Sequence, residues 1–148
     1  MRNGSRPRWS AKANALLEEV GWRPGRSVSA AEWERGLQEH DGFEIHPMAQ
    51  RFLAEFGGLN VTRLYVGTFT EVRAEVVLDP ALAKGNRESF DVLSADVGAE
   101  LYPLGMTANR RAYLGMTSAG TVYAGMTDAC FLGESGDQAL DRLVGQIM

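Results

Sequence analysis

The sequence predicts a single α+β domain in which helices pack on a mostly antiparallel sheet, and three observations point there. Apolar residues recur at helical spacing in five separate segments. Between the third and fourth of these, residues 72 to 79 alternate with a period of two, the signature of a strand. After the fourth, the triplet Gly-Met-Thr occurs at 105, 115 and 125, a ten-residue period that suits short strands joined by tight turns. The resulting order is three helices, two strands, a helix, a three-stranded meander and a closing helix. Helices and strands are segregated, as an α+β fold requires.

The first helix runs from Ser10 as its cap, with Leu16, Leu17 and Val20 on its apolar side, to Gly21. After the turn at 22–26, Ser29 and Glu32 have the spacing of a capping box, and Trp33 and Leu37 lie one helical turn apart, facing the core. The third helix starts at Pro47, with His46 beside its cap, and carries the stripe Met48, Phe52, Leu53 and Phe56. Gly57 then falls where a helix end favours a left-handed residue, and Gly58 lets the chain leave sharply into a short strand near 59–61. A phosphate cradle needs such glycines before a helix, where free N–H groups point at the anion. Here they follow one, so they read as a turn.

In the next strand Val72, Ala74, Val76 and Leu78 alternate with Arg73, Glu75, Val77 and Asp79. One helical turn at 79–86 leads to an amphipathic helix on which Phe90, Leu93, Val97 and Leu101 share a face, with Glu88, Asp91 and Asp96 turned away. In the meander, a loop at Ser118-Ala119-Gly120 puts Gly120 in the left-handed position and pairs Gly115 with Tyr123 and Tyr113 with Gly125. A first loop centred on Asn109 sets Gly105 opposite Tyr113, and rings beside cross-strand glycines help to pin register. The last helix, 136–147, presents Leu140, Leu143, Val144 and Ile147.

Composition is that of a globular chain: 45% hydrophobic and 23% charged over 148 residues. No apolar run reaches the ~18 residues of a membrane helix, and the Arg-rich start has no apolar stretch behind it, so no membrane partner is expected and the expected location is cytoplasmic. Residues 1–9 read as a flexible basic leader and 10–148 as the folded domain. Arg2, Arg6, Arg8 and Lys12 contribute +4, and the remaining 11 basic and 19 acidic residues give −8. A body this acidic repels a phosphate backbone, which argues against direct nucleic-acid binding and for a basic partner.

Catalytic signatures are missing: the sequence has no phosphate-binding, dinucleotide, zinc-protease or nucleophile-elbow motif. One cysteine excludes a Cys-based zinc site within the chain, and beside Phe131 and Leu132 it reads as a small buried hydrophobe. His40 and His46, with Asp41 and Glu44 between them, match no ligand spacing, so neither a metal nor any cofactor is expected. A triad of Cys130, a histidine and an aspartate stays open, because such groups converge in space. Glu88, Asp91, Asp96 and Glu100 read first as a solvated helix face. Val92, Ala95 and Ala99 among them also allow a docking face with an apolar centre and a charged rim.

Several segments together resemble the third subgroup of the SUKH superfamily of bacterial immunity proteins. They are the "GWRPGR" turn with Trp22, Trp33 in the next helix, the "GFEIHP" lead-in, and "FLAEFGGL" with Phe56, Gly57 and Gly58. "LDPALA" and the closing Gly120, Val122, Tyr123 and "ALDRLV" follow in order, so the resemblance covers about residues 14 to 146. The Gly-Met-Thr triplets and the Arg-rich leader lie outside the pattern. The resemblance implies a SUKH-like domain that is no enzyme and carries no catalytic residue. It implies binding and neutralising a toxin passed between bacterial cells, often a nuclease or nucleic-acid deaminase. The candidate contact residues are Glu88, Asp91, Val92, Asp96 and Glu100. A protein-interaction or regulatory module of the same fold stands as the alternative, and a small-molecule enzyme using Cys130 or the histidines as a third.

Overall fold

In the computed structural model, residues 8–66, 71–108 and 110–145 are described, with side chains described outside 63–66 and 71–74. Five helices, α1 (Ala11–Glu19), α2 (Ala31–Asp41), α3 (Pro47–Phe56), α4 (Arg87–Val97) and α5 (Gly136–Val144), surround one sheet. Its strands are β1 (Asn60–Val66), β2 (Glu71–Val77), β3 (Tyr102–Thr107), β4 (Ala112–Met116), β5 (Val122–Gly125) and β6 (Cys130–Gly133). They pair antiparallel in chain order, each with its sequence neighbour. The α+β class is as the sequence predicts, and the closing meander gains a fourth strand, β6. Four residues, two of them half-exposed, are too short to show a period in the sequence.

Both faces of the sheet are covered. Tyr113 through Met116 are all buried, and neighbouring residues of a strand point to opposite faces. On one face the space beside Gly115 holds Phe90 of α4 and Leu101, and that beside Gly125 holds Leu93. On the other, the methyl of Met116 meets Gly136 of α5, beside Phe52 of α3. The pairings Gly115–Tyr123 and Tyr113–Gly125 hold as predicted, and Gly120 is left-handed at φ 94. Gly115 makes room for Leu101 as well as Phe90, and Gly125 for the Asp128 carbonyl as well as Leu93. Gly105 pairs with Leu114 and not Tyr113, because the register shifts between Pro103 and Gly105. Asn109, Ile147 and residues 1–7 lie outside the described residues, as do the side chains of Val72 and Ala74. Val77 departs from the two-fold alternation: it is buried along with Val76 and Leu78, at the point where β2 pairs with Met106 of β3.

Three local readings change. Ser29 sits one position too early for a capping box: Ala30 is the cap residue, and the Ser29 hydroxyl accepts from the Ala31 amide at 3.2 Å. Gly57 has φ −57 and Gly58 has φ 88, so the left-handed residue is the second of the pair. Gly57 is required for a different reason, since a Cβ there would lie 2.6 Å from the Trp33 ring and 2.5 Å from the Leu53 carbonyl oxygen. Arg8 and Trp9, which the sequence reading assigns to the leader, pack onto the domain. Trp9 is 6% exposed, edge-on to Trp22 and Phe56 at centroid distances of 5.2 and 5.7 Å. Arg8 bridges Glu55 of α3 and Asp137 of α5, 2.7 Å from each. An indole of that size is worth more buried than extended into solvent, and that outweighs the basic composition around it.

Candidate partner-binding surface

α4 is held from inside by Phe90 and Leu93, and it ends at Gly98 in the left-handed conformation, φ 82. Its outward residues are those the sequence singled out. Glu88, Asp91, Val92, Ala95 and Asp96 follow one another at helical spacing, and all are exposed. Ala99 and Glu100 lie past the helix end, as does Leu101, which is buried nonetheless.

Arg87 draws this surface together. Its Nε donates to Asp91 at 3.0 Å and its Nη2 to Glu100 at 3.3 Å, while its guanidinium lies 4.7 Å from the Phe43 ring centre. Asp96 takes the Ala129 amide at 2.8 Å, which ties the β5–β6 turn to the helix. Four carboxylates against one guanidinium leave the face negative.

The residues that define the sequence pattern do something else. Arg23 donates to the carbonyls of Glu18 and Trp22, at 2.7 and 2.6 Å, closing the end of α1. Arg26 donates to the carbonyls of Glu55 and Gly57, at 2.6 and 3.0 Å, closing the end of α3. Cations at helix C-termini satisfy carbonyls that have no helical partner and oppose the helix dipole. The Trp22 indole donates to Glu55 at 3.1 Å. His46 accepts the Ala49 amide on Nδ1 at 3.1 Å, which leaves Nε2 to donate to the Met116 carbonyl at 3.0 Å. The histidine is therefore the α3 cap itself and pins that helix to β4. Replacing it with alanine removes both bonds, and the expected cost is about 2 kcal/mol in a denaturant titration.

Thus "GWRPGR" and "FLAEFGGL" meet at the C-terminal end of α3 beside Trp22 and Trp33, and "GFEIHP" caps its N-terminal end. The SUKH-3 immunity protein family model matches residues 9–146. The chain belongs to the SUKH-3 immunity protein family. No curated protein and no solved structure matches it. In this SUKH-3 chain the recognisable residues build the scaffold, and the α4 face lies outside them.

Groups with chemical potential are dispersed or occupied. Cys130 is exposed, contrary to the buried reading, at the start of β6, an edge strand with a neighbouring strand on one side only. Both nitrogens of His46 are bonded to backbone groups. His40 lies 3.1 Å from Asp41, whose other oxygen accepts the Gly85 amide at 2.9 Å. Burial works against the Asp41 charge, but the Gly85 and His40 hydrogen bonds outweigh it and lower its pKa. Its stabilising effect is complete above the ordinary carboxylate pKa and is lost as pH falls through the lowered one.

A cleft of about 240 Å³ is lined by Glu44, His46, Glu100, Tyr102 and Ser118 among others. Burial, with Glu34 nearby, pushes the Tyr102 phenol up to about 12, so it stays neutral. Among the described residues, no three His, Cys, Asp or Glu side chains gather as metal ligands, and no helix is long and apolar enough to cross a membrane.

Proposed function

We propose that this SUKH-3 protein acts in the cytoplasm by binding alone, neutralising a nuclease or nucleic-acid deaminase toxin by laying the acidic face of α4 over its substrate groove. One observation carries the choice of face: Glu88, Asp91, Asp96 and Glu100 are exposed together around Val92 on a helix whose inner side is fixed in the core. A groove that holds a nucleic-acid backbone is basic. Carboxylates can occupy its phosphate positions and steer the encounter.

The test is a pull-down from lysate and secreted fractions of the producing strain, followed by kinetics with the recovered toxin domain. Wild type is expected to bind in salt-sensitive fashion, and E88Q/D91N/D96N to associate about tenfold more slowly. A triple variant that binds as fast as wild type would place the contact elsewhere. Recovery of a housekeeping protein and no toxin would favour the regulatory-module reading.

A further inference from the structure

We propose that the docking surface continues from α4 onto the β5–β6 hairpin, where Val92, Met126 and Phe131 form its apolar centre against a basic protein partner. The proposal deepens the function above and rests on it. Three large hydrophobic side chains stand exposed among the described residues: Val92 at 48%, Met126 at 42% and Phe131 at 45%. Scattered singly over a surface, such residues need no explanation. Here they fall on one helix and the hairpin tied to it.

Several observations put Phe131 and the turn that carries Met126 on the sheet face that α4 covers. Gly115 and Tyr123 are cross-strand partners, and the space beside Gly115 opens toward Phe90 of α4. Directly paired residues share a sheet face, so Tyr123 lies on the α4 side. Phe131 pairs with Tyr123 in turn, ring centres 6.0 Å apart and edge to face. The turn carrying Met126 closes over the same side. The Asp128 carbonyl and Leu93 crowd the space beside Gly125, and the Ala129 amide donates to Asp96. Phe131 is thus a half-exposed aromatic held by a neighbouring ring, which suits an interface anchor.

Charge decides the occupant. Glu88, Asp91, Asp96 and Asp128 are exposed around this centre, with Arg87 at the start of α4 and Arg142 behind β6, its Nη1 on the Phe131 carbonyl at 3.3 Å. A second copy of the chain would set one acidic rim against another, whereas a protein with an apolar projection ringed by Lys and Arg meets complementary charge.

The experiment titrates the immunity protein with catalytically silenced C-terminal toxin domains of the producing strain, reading association and dissociation separately. F131S is expected to bind at least tenfold more weakly through faster dissociation and M126S several-fold more weakly, with E88Q/D91N/D96N acting on association. Both apolar variants should melt with wild type, because neither side chain is in the core. If F131S and M126S bind like wild type while the acidic variant is impaired, the hairpin lies outside the interface and only this inference falls. If wild type binds none of the domains, the proposed function falls and takes this inference with it. A wild type that self-associates in sedimentation, with F131S monomeric, would assign the patch to a second copy and overturn the proposal.

Discussion

Replacing Gly105 with alanine is expected to cost about 4 kcal/mol and to lower the melting temperature by about 10 °C or more. Two effects add at this position. A Cβ would run into the Val77 carbonyl oxygen of β2, with the Leu78 Cα and the Asp79 amide nitrogen 3.0 Å away. The backbone also sits at φ 152, where side chains are rarely accommodated. All the near atoms are backbone, so no rotamer change relieves the clash. Relief comes only by parting β2 from β3, whose described register is the single pairing of Val77 with Met106. The comparison is Gly115→Ala, where the new methyl meets the Leu101 Cβ at 3.0 Å and the Leu101 and Phe90 side chains at 3.4 Å. Side chains yield more readily, and a cost of about 1 kcal/mol is expected from the same melting experiment. Equal effects at the two positions would mean that β2 and β3 do not approach as closely as described.

Trp9→Ala is the second large effect. The ring is buried against Trp22 and Phe56, and its Nε1 donates to Asn14 at 3.0 Å. Truncation leaves a cavity where three aromatic rings meet, for an expected loss of about 3 to 5 kcal/mol by urea titration. Arg8→Ala should cost only about 1 kcal/mol. Its bonds to Asp137 and Glu55 are partly exposed, and solvent screens them. A Trp9→Ala protein as stable as wild type would restore residues 8 and 9 to the leader.

Much of this molecule is written where local chemistry and period agree. Ser10, Gly120 and the α3 stripe were readable because each is decided within a few residues. The exposure of Glu88, Asp91, Val92 and Asp96 was readable too, since Phe90 and Leu93 orient the helix and leave its other side to solvent; that the helix ends at Val97, short of Glu100, was not. What escaped the sequence is decided at a distance. Gly57 is set by a Trp33 ring, and the Gly105 register by a bulge against β2. Trp9 is held by residues from two helices, and Phe131 is placed on the α4 side of the sheet only through a chain of pairings. Arg23 and Arg26 could have been suspected of capping. Each follows a helix within a turn motif, but which carbonyls an arginine reaches depends on where the helices end up.

The strands of the sheet lie side by side in the order in which they are made. No strand waits for a distant one, so the closures needed to build the sheet are short, and topologies of this kind fold fast for a β-rich chain. The ties to α5 are the exception, since Arg8 meets Asp137 from 129 positions away and Ser10 meets Asp141 from 131. Construction can therefore proceed strand by strand: Trp9 and the Glu55 arm of Arg8 can seat on α1 and α3 beforehand, while the Asp137 arm waits for α5. α4 and the β5–β6 hairpin beside it precede α5 in the chain, so the proposed docking face can be in place before that arm closes.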